Sequence, residues 1–167
     1  MPIIAIAIVL VLVAADQVTK WLVVANIPLG GSVTVIDGFL QWRYIQNYGA
    51  AFGVLQNQRW IFIGFTAVVV VAAIIFLFTK YCRSKFLTFA LALVIAGGIG
   101  NLIDRIVLGY VVDFISVSFF PPIFNFADCC VCIGAVLLVA FVLFFPSYDP
   151  IKQKKVRFSP RSKESER

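Results

Sequence analysis

The most constraining feature of this chain is a set of long apolar runs that contain no charged residue. Three such runs cover residues 60–79, 86–103 and 129–148. Each is about as long as the 20 apolar residues that a helix needs to cross a bilayer. Hydrophobic residues make up 62% of the chain and charged residues 13%, against about 45–50% and 25% in soluble domains. A water-soluble fold of 167 residues could not bury that much apolar surface, so the composition predicts an integral membrane protein.

The first 25 residues also predict a membrane span, although two charged residues interrupt them. Asp16 and Lys20 lie four residues apart and would share one face of a helix, in the order that favours an ion pair. The alternative is a cleaved signal peptide that ends near Ala15, but no Lys or Arg precedes the apolar run, as a signal peptide requires. We therefore expect an all-α integral membrane fold with four transmembrane helices, at about 2–25, 60–79, 86–108 and 127–146.

Basic residues are unevenly distributed between the connections and predict an orientation. Three of them lie between residues 80 and 85, and seven lie in residues 149–167. The connection at 109–127 has none. Because basic connections stay in the cytoplasm, we expect both termini and the 80–85 loop on the cytoplasmic side and residues 26–59 outside.

The chain then divides into a membrane domain, residues 1–148, and a tail, residues 149–167. The tail is rich in Lys, Ser and Glu, which predicts a disordered cytoplasmic segment. Most of the net charge of +6 lies there, where a role as a topology signal accounts for it. The tail could also attract anionic membrane lipid, but the role as a topology signal is favoured. We expect membrane lipid as a partner and no nucleic acid, because the charge does not argue for a nucleic-acid partner.

The first outer connection, residues 30–58, has the pattern of a small β-sheet. Ser32–Ile36 and residues 39–45 are β-prone, and the dipeptide Asp37-Gly38 between them is a strong hairpin signal. Several aromatic side chains in this connection suit the water–lipid boundary. We expect a small sheet that lies on the outer membrane surface.

The second outer connection begins at Gly109, which we expect to cap the third helix. Residues 110–119 have an extended pattern. Pro121 and Pro122 then exclude a helix until the fourth span begins.

Polar side chains at membrane depth are few, and they lie toward one membrane face. Ionisable groups there are costly and usually functional. The predicted topology gathers four carboxylates from three spans and one connection. These are Asp16, Asp104, Asp113 and Asp128, and they are accompanied by Lys20, Asn101, Arg105 and Asn125.

Some of these residues have a purely structural explanation. Asp16 and Lys20 can neutralise each other within one helix, and Lys20 can extend toward the interface, so its loss should matter less than that of Asp16. Asp104 adjoins Arg105, and a carboxylate beside a guanidinium stays ionised and hydrogen-bonded, as a scaffold requires.

The remaining carboxylates are harder to explain as scaffold. Either Asn125 or Asp128 could be the N-cap of the fourth helix, but one cap would account for only one of them. Asp113 has no basic neighbour in the sequence. A carboxyl group in apolar surroundings has a raised pKa and can hold a proton at neutral pH.

The residue types present limit the chemistry. The chain has no histidine, which excludes catalytic triads and histidine-ligated zinc. A Ser–Lys dyad would have to combine Lys20 with Ser116 or Ser118, which lie in no motif. A carboxylate-bound magnesium ion is a further alternative, although we expect no metal or other cofactor. The remaining arrangement is a pair of carboxylates that share one proton and hydrolyse a substrate. The cysteines, Cys82, Cys129, Cys130 and Cys132, are expected to serve packing.

Five sequence blocks resemble the signal peptidase II family of membrane aspartyl proteases, the lipoprotein signal peptidases. The blocks are DQVTK at 16–20, NYGAAFG at 47–53, GGIGNLIDR at 97–105, VVDFI at 111–115 and FNFAD at 124–128. The resemblance implies that Asp113 and Asp128 form the catalytic dyad. The supporting and substrate-binding residues that it implies are Asp16, Lys20, Asn47, Gly49, Gly97, Asn101, Asp104, Arg105, Val111, Phe124, Asn125 and Ala127.

The resemblance also implies a substrate and a location. The substrate would be a prolipoprotein whose cysteine carries diacylglycerol, cut just before that cysteine, and the inhibitor globomycin would block the dyad. The location would be the bacterial cytoplasmic (inner) membrane, with the active site toward the outer face. A four-span transporter or channel component that uses its membrane carboxylates is the main alternative, and a non-catalytic scaffold is a second one.

Overall fold

The structure is a computed structural model that describes residues 2–49, 58–79, 82 and 84–144. Within these ranges it has four long helices. They are α1 (Pro2–Asn26), α2 (Arg59–Phe78), α3 (Lys85–Val107) and α4 (Phe126–Phe144). All four are long and apolar enough to cross a membrane. Every end that is described lies within two residues of the predicted span, so the all-α membrane prediction is confirmed.

The strands all lie in the two connections at one end of the helix bundle, which we call the sheet end. Strands β1 (Ser32–Ile36) and β2 (Leu40–Asn47) follow α1, and β3 (Val111–Val117) and β4 (Phe120–Phe124) join α3 to α4. They form one antiparallel sheet in the order β1-β2-β3-β4. The predicted hairpin is confirmed, although its second strand runs two residues further than expected.

Pairing between β2 and β3 joins the two connections into one sheet. Asn47 pairs with Val111, and Ile45 pairs with Asp113. The sequence pattern predicted both segments but not their pairing. β4 contains Pro121 and Pro122, which an edge strand tolerates because one side of it needs no ladder hydrogen bonds.

The helix α3 lies at the centre of the bundle, and its small residues allow the other helices to approach. A Cβ atom at Gly97 would collide with the backbone of α4. At Gly98 it would lie 2.5 Å from Val70 of α2, and at Gly100 2.5 Å from Asp16 of α1. Three glycines thus allow three neighbouring helices to approach α3 closely. In the 18-residue apolar stretch of α3, 67% of the residues are buried, against 11% to 17% in the other helices.

The sheet rests on the end of α1 through a second apolar cluster. Val23 and Ile27 pack there against Tyr44, Val112 and Phe114. Side chains alternate along a strand, and Val112 and Phe114 face this cluster. The side chain of Asp113, which lies between them in the sequence, therefore faces away from the cluster. The fold thereby directs one carboxyl group of the sheet toward the helix ends.

The connection after α3 bends sharply where the sequence predicted a cap. Gly109 has φ +86° and its N–H donates to the Asp104 carbonyl at 3.2 Å, so the predicted helix cap is confirmed. Parts of the 80–85 loop and of the 47–53 block, and the whole 149–167 tail, lie outside the described residues. The division at residue 148 therefore remains a prediction.

Candidate active site

Four buried or partly buried carboxylates meet at the sheet end of the bundle. They are Asp16 of α1, Asp104 of α3, Asp113 of β3 and Asp128 of α4. The first three are at most 3% exposed. The predicted convergence is therefore present, and the four groups divide into two sets with different partners.

The first set, which we call the charge cluster, consists of Asp16, Lys20 and Asp104. The Lys20 Nζ lies 2.9 Å from Asp16 Oδ2 and 3.0 Å from Asp104 Oδ2. Gln17 bridges the same carboxylates, because its Nε2 donates to Asp16 Oδ2 and to Asp104 Oδ1, each at 3.1 Å. Two buried carboxylates thus share one buried cation and one half-buried amide donor.

The charge cluster also holds the backbone of the neighbouring elements. Asp16 Oδ1 accepts a hydrogen bond from the N–H of Ala127 at 2.9 Å, in the first turn of α4. Asp104 Oδ2 accepts one from the N–H of Val112 at 3.0 Å, in β3. A carboxylate at a helix N-terminus satisfies an N–H that has no partner within the helix. The cluster therefore fixes the residues directly before Asp113 and Asp128.

Two expectations for these residues are wrong. Arg105 does not pair with Asp104; its Nη1 lies 3.4 Å from the Asn101 carbonyl, and its guanidinium lies over the Phe62 ring at 5.2 Å. Lys20 does not reach the interface, because it is 3% exposed and ion-paired between helices. Neighbours in sequence on a helix point in different directions, so adjacency alone could not identify the partner of Asp104.

Two asparagines connect the charge cluster to the other carboxylates. Asn101 Oδ1 accepts hydrogen bonds from Lys20 Nζ at 3.0 Å and from Asn125 Nδ2 at 3.1 Å. The other end of the same amide faces Asp128, and Asn101 Nδ2 donates a hydrogen bond to Asp128 Oδ1 at 2.7 Å. Asn125 Nδ2 also donates to Asp113 Oδ1 at 2.7 Å. The asparagines thus present N–H groups to both carboxylates.

Asn125 and Asp128 form a reciprocal cap at the start of α4. Asn125 Oδ1 accepts from the Asp128 N–H at 2.9 Å, and Asp128 Oδ2 accepts from the Asn125 N–H at 3.1 Å. This is a capping box, in which both residues satisfy helix N–H groups. The expectation that one cap explains only one of them is therefore wrong. Asp128 nevertheless keeps its other oxygen, Oδ1, directed toward Asn101.

Asp113 has amide partners and no cation within salt-bridge distance among the described residues. Its oxygens accept from Asn125 Nδ2 and, at 2.8 Å, from Asn47 Nδ2. Burial, and after it the negative charge of Asp128, raise the pKa of Asp113 to about 7. The two amide hydrogen bonds and Lys20 act in the opposite direction but do not cancel the effect of burial.

Both Asp113 and Asp128 line one cavity of about 480 Å³ at the sheet end. We call it the aspartate cavity. Its polar wall includes Asn47, Asn101 and Arg105, and its apolar wall comes mainly from α2 and β4. The cavity thus combines a hydrogen-bonding wall with a hydrophobic one, which suits a peptide at a membrane boundary.

The other predicted residues lie close by and are mostly structural. Gly49 and Phe124 line the aspartate cavity, and Gly97 lines it where α3 meets α4. Val111 is 2% exposed and pairs with Asn47. Gln17 was not predicted as a site residue, although a polar side chain between Asp16 and Lys20 in an apolar span was a signal that could have identified it.

The alternatives from sequence find little support in this geometry. Lys20 Nζ is held by Asp16, Asp104 and Asn101, and Ser116 and Ser118 are not among its partners. Within the described residues no three Asp, Glu or Cys side chains are grouped as metal ligands, and the carboxylate oxygens accept N–H groups of the protein instead.

Comparison with known proteins agrees with this site. Residues 8–144 match the family described as signal peptidase (SPase) II. The chain is 45% identical over 132 residues to a lipoprotein signal peptidase of Streptococcus thermophilus (strain CNRZ 1066), covering 78% of this chain and 86% of the relative. It is 42% identical over 137 residues to one from Listeria monocytogenes (serotype 4a, strain HCC23), covering 80% and 88%.

Solved structures give the same result. A bacterial membrane enzyme determined by the in meso method at 2.3 Å resolution superposes with a TM-score of 0.76 at 32% identity, covering 97% of this chain and 94% of the other. A second, at 1.9 Å, superposes with a TM-score of 0.73 at 35% identity, covering 83% and 92%. These matches do not support a transporter. The chain is a multi-pass bacterial membrane peptidase that belongs to the signal peptidase II family.

Proposed function

We propose that this chain is an aspartic endopeptidase that removes the signal peptide of prolipoproteins, cutting before a cysteine that carries diacylglycerol. The observation that carries the proposal is that Asp113 and Asp128 line one cavity, with no cation between them in the part of the chain that the structure describes. The relatives named lipoprotein signal peptidase support the substrate class. The other two carboxylates that meet at the sheet end, Asp16 and Asp104, share Lys20 and act as scaffold.

Hydrolysis needs one carboxylate that accepts a proton and one carboxyl group that donates one. Asp128 accepts N–H groups from Asn101 and Asn125, which stabilise its ionised form. Asp113, whose pKa is about 7, holds a proton in about half of the molecules at neutral pH. The two groups interact and titrate as a pair, and the reaction uses the form of the pair that carries one proton, on Asp113.

The proposed reaction needs Asp128 ionised and Asp113 protonated at the same time. Asp128 takes a proton from water as the water oxygen attacks the scissile carbonyl, and Asp113 donates its proton to the carbonyl oxygen. In the tetrahedral intermediate, the proton now on Asp128 passes to the leaving amine while a hydroxyl proton returns to Asp113. The peptide bond then breaks. The water molecule has supplied an OH group to the new carboxyl group and a proton to the new amine, and the pair again has Asp113 protonated and Asp128 ionised.

The direct test is incubation of the purified protein in lipid nanodiscs with a diacylglyceryl-modified prolipoprotein, followed by mass spectrometry of the new N-terminus. We expect a product that begins at the lipidated cysteine. Asp113→Asn and Asp128→Asn should give almost none, and Asp37→Asn, on the exposed hairpin turn, is the matched control. Absence of product from the unaltered protein would overturn the proposal. EDTA should leave product formation unchanged, and globomycin should compete with the substrate.

The proposal includes an orientation with both termini in the cytoplasm and the sheet end outside. The basic residues of the 80–85 loop and the tail support it. We expect a membrane-impermeant thiol reagent applied to intact cells to label Asp37→Cys and not Ser84→Cys, each compared with the parent chain. The reverse pattern would place the aspartate cavity on the cytoplasmic side and would contradict this orientation.

A further inference from the structure

A second apolar recess begins where the aspartate cavity ends. It has a volume of about 400 Å³ and lies between α4 and the β3–β4 connection. Its α4 wall is Cys129, Cys132 and Ile133, and its opposite wall includes Val117 and Phe119. We call this recess the β4 groove. Apart from one carboxyl group, its lining offers hydrocarbon, aromatic rings and thiols, which are surfaces for a nonpolar ligand.

The β4 groove is continuous with the aspartate cavity. Four residues line both: Phe120, Phe124, Asp128 and Cys132. Asp128 therefore stands at the junction, with the polar wall of the aspartate cavity on one side and an apolar surface on the other. A group attached next to a scissile bond held at Asp128 would therefore adjoin the β4 groove.

We propose that the β4 groove binds an acyl chain of the diacylglyceryl group on the substrate cysteine, while the signal peptide occupies the aspartate cavity. This inference rests on the proposed function. In that reaction the lipidated cysteine directly follows the scissile bond, so its acyl chains leave the site beside Asp128. An acyl chain gains from contact with apolar surface, and the aspartate cavity is partly lined by Asn47, Asn101 and Arg105.

Another apolar recess at the sheet end does not meet these conditions. It measures about 350 Å³ and lies between the end of α1 and the sheet, lined in part by Leu22, Val33 and Trp42. None of the four carboxylates lines it. Phe114 lines it and lies on the strand face opposite Asp113, and the recess shares no lining residue with the aspartate cavity. A chain that enters this recess could not begin at the scissile bond.

The groove assigns a specificity role to residues that have no part in the proton transfers. Ile133 and Val117 line the β4 groove and not the aspartate cavity. Ile133→Trp and Val117→Trp would each shorten the space for an acyl chain. Val136→Trp is the matched control, because Val136 also lies on the exposed surface of α4 and lines neither recess.

The experiment measures kcat/KM for lipidated substrates that carry either sixteen-carbon or eight-carbon acyl chains. We expect each groove variant to lower the ratio of long-chain to short-chain kcat/KM about tenfold, as pocket filling does for hydrophobic specificity sites. Val136→Trp should keep the ratio of the unaltered protein. An unchanged ratio in both groove variants would overturn the assignment while leaving cleavage, and so the proposed function, intact.

A second measurement does not depend on turnover. A lipidated substrate peptide with a photoreactive diazirine at the end of one acyl chain is irradiated with the unaltered protein, and the adduct is mapped by mass spectrometry. We expect adducts within residues 117–133, lost when a non-photoreactive lipidated peptide is added in excess. Competed adducts at Leu22, Val33 or Trp42 would overturn the β4 groove and assign the chain to the recess beside α1. Adducts that the competitor does not remove would also overturn it, since the probe would then report bulk lipid.

Discussion

The charge cluster and the Asp113–Asp128 pair lie in the same end of the molecule and share Asn101, yet they are built differently. The cluster places a buried cation between its two carboxylates, with ion-pair distances of 2.9 and 3.0 Å. Among the described residues, the pair has amide and backbone N–H groups as its hydrogen-bond donors and no cation. Buried charges that compensate each other hold structure, whereas an uncompensated buried carboxyl group can exchange a proton near neutral pH.

The two sets also depend on each other. Asp16 and Asp104 hold the backbone N–H groups of Ala127 and Val112, which immediately precede Asp128 and Asp113. The charge cluster thus fixes the backbone beside the pair, and none of its three members lines the aspartate cavity. Substitutions in the cluster should therefore reduce stability, and substitutions in the pair should reduce turnover.

The largest expected effect comes from the pair. Asp113→Asn and Asp128→Asn should each lower kcat by about 10²–10⁴-fold, the usual contribution of a general acid or base. Folded yield and substrate binding should change little for Asp113→Asn. The double variant should be little worse than either single one, because the two groups act as a unit. Single-turnover cleavage and substrate binding are the measurements.

One outcome would reassign the pair. If Asp104→Asn abolished turnover in a stable protein while Asp113→Asn stayed active, Asp104 and Asp128 would be the reacting groups. We expect the opposite for Asp104→Asn, namely a lower melting temperature together with reduced activity, because Lys20 would lose one of its two carboxylate partners.

The next effect concerns the cation of the charge cluster. Lys20→Met keeps the length of the side chain but leaves Asp16 and Asp104 without their shared charge, so we expect a loss of about 3–5 kcal/mol in stability. Thermal unfolding in detergent measures it. Val18→Met, at an exposed position of the same helix, is the control. Adding Asp104→Asn to Lys20→Met should recover part of the stability, and no recovery would contradict this account of the cluster.

A smaller effect is the pH dependence of turnover. If protonated Asp113 is the acid, kcat should fall as the pH rises through about 7. The amide of Asn47 stabilises the ionised carboxylate and lowers this pKa, so Asn47→Ala should move the alkaline limit to higher pH. Gln46→Ala, on the neighbouring residue, should leave the limit in place. A shift to lower pH in Asn47→Ala would contradict Asp113 as the acid.

The smallest effect should come from Gln17, which bridges the charge cluster without carrying charge. Gln17→Ala should lower stability by about 1–3 kcal/mol, because it leaves buried carboxylate oxygens without one donor. Its kcat should stay within about twofold of the unaltered protein, since Lys20 still holds both carboxylates. A loss of turnover as large as that of Asp113→Asn would place Gln17 in the reaction itself.

Much of this molecule followed from local patterns. Uncharged apolar runs determine where helices cross a membrane, because a bilayer leaves no alternative partner for backbone N–H and C=O groups. The Asp37-Gly38 turn determined the first hairpin, and Gly109 the end of α3. The chain has no histidine, and Asp113 has no basic neighbour in the sequence. These two features were enough to predict chemistry by a pair of carboxylates.

Partnerships between distant residues were decided only by the tertiary structure. Lys20 pairs with Asp104 across 84 positions of sequence because the glycines of α3 let α1 approach closely, and that proximity is a property of packing. The same packing joins β2 to β3 and turns Asn125 and Asp128 into one capping box beside Asn101. A sequence specifies which groups are costly to bury, whereas the fold decides which of them receive a counter-charge and which are left to exchange a proton.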